Sequence, residues 1–97
     1  MNSGNNKIKP NMPQISDFFG IIIRMFYDEH NPPHFHAQYG EYQCCIDIRT
    51  FGVIEGNLPA RVLGLVVEWA ILHKEELLNN WNNIEMKKPL SKIAPLQ

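Results

Sequence analysis

His34-Phe35-His36-Ala37-Gln38-Tyr39-Gly40-Glu41-Tyr42-Gln43-Cys44-Cys45-Ile46-Asp47-Ile48-Arg49 is the stretch from which the fold is read. On both sides of Gly40-Glu41, polar and apolar side chains alternate at period two, the signature of a strand with one face buried and the other in water. Glycine at the first position of a two-residue loop suits a type II′ turn, where only glycine enters the positive-φ region without steric cost. The segment is therefore an antiparallel hairpin. Its turn sets the pairing, so that His34 faces Asp47, His36 faces Cys45 and Gln38 faces Gln43. The polar set shares one face, while Phe35, Ala37, Tyr39, Cys44, Ile46 and Ile48 form the sheet's half of the core.

Upstream, Gly20 precedes the β-branched and aromatic run Ile21 to Tyr27, which reads as strand one. Either of its alternating sets, Ile21, Ile23, Met25 and Tyr27 or Ile22, Arg24 and Phe26, can meet the core. Asp28 to Pro33 is a turn, since Asn31 before Pro32 is biased toward extended geometry and two prolines cannot continue a ladder. Downstream, Thr50-Phe51-Gly52 is a second turn and Val53-Ile54-Glu55 a short further strand. The expected sheet is an antiparallel meander of three to four strands.

A long C-terminal helix is expected from about Pro59 to Met86, with Asn57 or Leu58 near its cap and proline in its first turn, where the missing N–H costs nothing. Val62, Leu65, Val66, Trp69, Leu77 and Ile84 recur at helical spacing and give the stripe that lies on the sheet, with His73 inside it. Val67, Ile71 and Leu78 form a second apolar edge that another segment or another subunit should cover. The tail from Lys87 to Gln97 carries Pro89 and Pro95 and is extended, with Leu90, Ile93 and Leu96 available to dock on a surface. The fold class is thus α+β.

With 97 residues and no internal repeat, there is room for one hydrophobic core. Residues 1–12, rich in Asn and Gly, read as a flexible leader, and 13–97 as a single α+β domain. A hydrophobic fraction of 44% and a charged fraction of 20% are ordinary for a globular chain. Nine basic and ten acidic side chains leave a formal charge of -1, so no bulk field draws the protein to nucleic acid, and an RNA contact would rest on a local patch. No apolar stretch is long enough to span a bilayer, no signal-peptide core is present, and adjacent Cys44 and Cys45 point to opposite faces as free thiols. A cytoplasmic location with no membrane partner follows as the expectation.

His34 and His36 project side by side from one strand, and Asp47 across the hairpin would place a carboxylate beside the first imidazole. A carboxylate fixes the tautomer of an imidazole and raises its basicity, as acid-base catalysis needs. The same three groups are also a ligand set for a divalent metal. Outward histidines are equally what solubility alone would place there. The stiff entry Asn31-Pro32-Pro33, preceded by Asp28, Glu29 and His30, favours a preorganised site. Arg24 and Arg49 would supply anion contacts if they share the histidine face, or pair with carboxylates such as Asp47 or Glu29. Cys45 faces His36 but, with no helix N-terminus beside it, is a weak nucleophile. His34-Phe35-His36-Ala37-Gln38 is similar to the His-x-His-x-Gln strand of nucleotidyl-transferring histidine-triad proteins, but no phosphate cradle precedes it.

A wider resemblance runs from Pro13 to Leu96. It covers the opening Pro-x-Ile-x-x-Phe-Phe-Gly, then Asn31-Pro32-Pro33-His34-Phe35-His36-Ala37, the Leu58-Pro59 helix entry, Trp69 and Trp81, and the closing Pro-Leu-x-x-Ile-x-Pro-Leu. In these residues the chain resembles a family of small bacterial proteins of unknown function, often encoded beside a second small protein in toxin-antitoxin-like pairs. Relatives often have Glu where this chain has Gln38, which removes a carboxylate from the histidine face. The resemblance implies a bacterial cytoplasmic protein with a cognate small partner from a neighbouring gene. The expected function is a toxin-antitoxin-type component that acts on, or is neutralised through, the histidine face. One form is a small metal-independent ribonuclease with His34 or His36 as acid-base, Asp47 beside them, and Arg24 or Arg49 on the phosphate. The alternative is a non-catalytic interaction module, binding a partner or a second copy. The third is a divalent-metal-binding protein using His34, His36 and Asp47. No cofactor is called for.

Overall fold

The computed structural model describes residues 13–97, so the expected leader over 1–12 lies outside the described residues. Five strands form one antiparallel sheet in chain order: β1 (Gln14–Phe18), β2 (Ile21–Arg24), β3 (His34–Tyr39), β4 (Tyr42–Asp47) and β5 (Val53–Gly56). Two helices follow, α1 (Ala60–Leu72) and α2 (Lys74–Glu85). The architecture is α+β. The β3–β4 register is the one the turn dictates, pairing His34 with Asp47, His36 with Cys45 and Gln38 with Gln43. Gly40 sits at φ 57 to make that turn.

The strand count needs correcting from three or four to five. Gln14–Phe18, which carries no clear alternation in the sequence, pairs with β2 through Ser16, Asp17 and Phe18 after an irregularity at Gln14. Its alternation is masked because Ser16 is buried beside Ile15. Strand one is also shorter than expected, ending at Arg24, although Met25 still donates its N–H to the Pro13 carbonyl at 3.2 Å. The second hairpin strand ends at Asp47 rather than Arg49: Ile48 still donates to the Pro33 carbonyl at 2.9 Å in register, but the chain then turns and the Phe51 N–H closes on the Asp47 carbonyl at 2.8 Å. Of the two faces left open for β2, the structure selects Ile21, Ile23 and Met25 for the core.

The single long helix becomes two. His73 leaves helical geometry at φ -119 and ψ 26, and its N–H is shared between the Trp69 and Ala70 carbonyls. A straight helix from 59 to 86 would run about 40 Å, whereas strands of at most six residues reach about 20 Å. The break therefore returns α2 to the protein. Val62, Val66, Trp69 and Ala70 of α1 and Leu77, Trp81 and Ile84 of α2 are all buried. Trp69 meets Phe18 and Phe35 at ring separations of 5.4 and 5.8 Å.

The extended tail closes the outer side of β1. Ile93 donates its N–H to the Ile15 carbonyl at 2.8 Å and buries its side chain. The Ala94 carbonyl accepts from Trp69 Nε1 at 2.8 Å, and the Lys88 carbonyl from the Tyr27 hydroxyl at 2.6 Å. Buried Asn80 gives its Nδ2–H to the Ser91 carbonyl and takes the Ser91 N–H on Oδ1, both at 2.9 Å. No helix among the described residues is long and apolar enough to cross a membrane.

Asn80→Ala leaves the Ser91 N–H and carbonyl without their partners. It is expected to lower unfolding stability by about 1–3 kcal/mol and to raise amide exchange selectively across the tail, as measured by urea titration and hydrogen exchange.

Candidate functional site

The loop between β2 and β3 folds back over the start of β3 and delivers a carboxylate to both imidazoles. Glu29 Oε1 contacts His34 Nε2 and lies 3.1 Å from His36 Nε2. The Asn31–Pro32 bond is cis, and the Pro32 carbonyl lies 2.8 Å from His34 Nδ1. A carbonyl only accepts, so Nδ1 carries the hydrogen and His34 is held with Nε2 turned to Glu29. His36 is fixed from three sides. Phe26 stacks on its ring at 4.2 Å and 10°, Glu29 takes one nitrogen, and Cys45 Sγ lies 3.2 Å from Nδ1. A ring that donates from Nε2 to Glu29 accepts from the thiol on Nδ1.

All three polar groups are partly withdrawn from water, with side-chain exposures of 11% for His34, 25% for His36 and 24% for Glu29. Trp81 of α2 packs against the His34 ring at 5.2 Å, so the end of the sheet that carries the cluster is walled by a helix. Burial works to raise the Glu29 carboxyl. Hydrogen bonds and charge interactions with His34 and His36 outweigh it and hold that carboxyl below its ordinary value.

Beside the cluster, the outward face of β2, β3, β4 and β5 forms a groove of about 390 Å³. His36 and Cys45 belong to its wall, together with Phe26, Arg24, Gln38 and Glu55. Arg24 pairs with His36 across the β2–β3 ladder and donates from Nη1 to Gln38 Oε1 at 2.7 Å. It makes no ion pair among the described residues. Its partner is neutral, which leaves its charge uncompensated next to the imidazoles.

The structure thus brings together His34, His36 and Arg24 from the residues read in the sequence, and leaves two others elsewhere. Asp47 is opposite His34 in the ladder, but its Oδ1 accepts the Arg49 N–H at 2.7 Å and the Thr50 N–H at 3.2 Å. That carboxylate closes the turn after β4 and makes no hydrogen bond to either histidine among the described residues. Arg49 is largely exposed and lies 3.8 Å from the same Asp47. It does not line the groove. The carboxylate role falls to Glu29, and Cys45 joins His36 where register alone had placed it. The signal for Glu29 was its position in a short, proline-stiffened loop just before His34; strand register says nothing about a loop folding back.

A family model described as Domain of unknown function (DUF4160) matches residues 20–82, from the turn before β2 to Asn82 in α2. No curated protein and no solved structure shows a significant match.

The two thiols differ in setting. Cys44 is buried on the core face and pushed up to about 11 by burial, with neighbouring Cys45 adding to it. Cys45, on the groove, is also raised, by burial first and then by Glu55 and Glu29. For Cys44, an unfolded chain ionises at about 8.5, below the folded group. The stability this contributes is complete below that value and is lost as pH rises towards 11. Unfolding free energy measured between pH 8 and 11 is expected to fall less steeply in Cys44→Ala than in the parent.

Proposed function

We propose that this chain, which belongs to the DUF4160 family of domains of unknown function, is a toxin-antitoxin-type component whose outward sheet face cleaves phosphodiester bonds in RNA. The observation that carries this reading is one juxtaposition. Arg24, which makes no ion pair among the described residues, and His36, tied to Glu29, occupy facing positions on neighbouring strands along one groove.

The chemistry asks for two things. A phosphodiester is an anion, and guanidinium is matched to phosphate oxygens in charge and geometry. An attacking hydroxyl or water must lose its proton as its oxygen bonds to phosphorus, and the departing oxygen must gain one as its P–O bond breaks. The Glu29-His34-His36 cluster handles the protons while Arg24 neutralises the phosphate. The near-neutral charge of -1 makes recognition local to this groove. A bacterial cytoplasmic setting, and a cognate small protein that covers the groove, complete the proposal, following the motif resemblance.

A non-catalytic interaction module is the second reading. Ile71 and Leu72 at the end of α1 are 57% and 66% exposed, an apolar step that suits a protein partner or a second copy. Of the apolar edge expected from the sequence, Val67 and Leu78 are half-buried against the protein, which leaves Ile71 as its exposed member.

The test is expression with and without the neighbouring gene, followed by cleavage assays on purified protein. The active chain is expected to deplete RNA and slow growth, with relief by the partner. His36→Ala should lower cleavage by roughly 10²–10⁴-fold and Arg24→Ala by roughly 10²–10³-fold. Asp47→Asn and Arg49→Ala should cleave like the parent. Intact RNA and equal growth in every case would remove the enzyme and leave the interaction module.

A further inference from the structure

The cluster has an unresolved partner problem at its centre. His34 Nδ1 must carry a hydrogen because it faces the Pro32 carbonyl at 2.8 Å. In the neutral ring, Nε2 then presents a lone pair, and what it meets is Glu29 Oε1, an oxygen of a carboxylate. Two electron-pair donors in contact repel unless a positive charge lies beside them. That is a proton, which makes His34 an imidazolium, or a metal ion bound at Nε2 with Glu29 turned to its outer shell.

Three observations choose the ion. The first is the donor set: ligand atoms of His34, His36 and Cys45 all lie within 4.8 Å of one another. Around a tetrahedral zinc with bonds of about 2.0–2.3 Å, ligand atoms stand about 3.3–3.8 Å apart, so small side-chain rotations close the shell. The second is the support around it. A backbone carbonyl on the far nitrogen of a histidine is the usual device for aiming the near nitrogen at a metal, and Phe26 clamps the second ring. The third is charge. One thiolate ligand and the Glu29 carboxylate beside it balance a divalent ion in a half-buried site.

We propose that His34, His36 and Cys45 bind one divalent metal ion of the zinc class through two imidazole nitrogens and a thiolate, with Glu29 as the carboxylate beside the imidazoles and a fourth position open to water. Nitrogen and sulfur donors select zinc-like ions over magnesium or calcium, which require oxygen shells. Binding forms the metal–sulfur bond and releases the Cys45 thiol proton to solvent; the two imidazoles bring lone pairs and lose no net proton. This replaces the earlier ligand set of His34, His36 and Asp47, since Asp47 is held in its turn. It also deepens the hydrolytic reading and rests on it for one point only, the ion's use. His36 and Cys45 line the groove, so a metal-bound hydroxide there would be the nucleophile, in place of a free imidazole as base.

The experiment takes full-length protein purified without a histidine tag, stripped with a chelator and titrated with cobalt(II), then zinc(II). One cobalt per chain is expected, with a sulfur-to-cobalt charge-transfer band, displacement by equimolar zinc, and a rise in melting temperature. Cys45→Ser should abolish the band. His34→Ala, His36→Ala and Glu29→Gln should each weaken cobalt binding by at least the roughly 10–100-fold that loss of an outer-shell partner costs. Cys44→Ser and Asp47→Asn should bind like the parent. Circular dichroism identifies any variant that fails to fold, and His36→Asn then replaces His36→Ala. Absence of stoichiometric cobalt binding by the folded parent would overturn the proposal and assign the gap to a proton, as would a band that survives in Cys45→Ser. The two readings fail separately. A zinc-loaded protein that leaves RNA intact keeps the site and loses the ribonuclease. RNA cleavage by stripped protein that binds no cobalt does the reverse.

Discussion

The pairing of β3 with β4, set by the two-residue turn at Gly40-Glu41, is the constraint on which the rest of the molecule depends. A slip of one residue would turn Phe35, Ala37, Cys44 and Ile46 to water and bring His36 into the core. In the observed register, alternation does two jobs at once: it gives the helices an apolar floor and raises His36 and Cys45 together on the other side. A second backbone constraint holds the next strand in place. A Cβ on Gly56 would lie 2.2 Å from the Gln43 carbonyl oxygen, so only glycine lets β5 approach β4 there.

The cluster draws on every layer built around that pairing. β3 supplies the imidazoles, β4 the thiol, the loop after β2 the carboxylate and the carbonyl that fixes a tautomer, and α2 the tryptophan behind His34. A site assembled from three consecutive segments within residues 29–47 and walled by distant Trp81 has its geometry only when the hairpin, the loop before it and the helical cover are in place. Function and cooperative folding are thereby coupled.

The hairpin, its facing pairs and the buried helical stripe were legible in the sequence because periodicity and turn chemistry are local signals. β1 was not, since a buried serine breaks its alternation and its neighbours pair across a bulge. The helix break at His73 was hidden because nothing in its sequence disfavours helix; the limit comes from the length of the sheet beneath. For the site, His34, His36 and Arg24 followed from register, and Cys45 was placed correctly but valued only as a nucleophile. Asp47 was overvalued, because facing positions in a ladder say where a carboxylate starts and not which N–H groups it serves. Glu29 required knowing how a loop closes.

The docked tail bears on where this folding unit ends. The family match runs from 20 to 82, yet β1 precedes it, and Ile93 and Ala94, which hold Ile15 and Trp69, follow it. A polypeptide trimmed to the matched stretch would bare the flank of β2 and strip the buried indole of Trp69 of its acceptor. The shared sequence signature and the physically self-sufficient body are therefore different objects, the second wider at both ends.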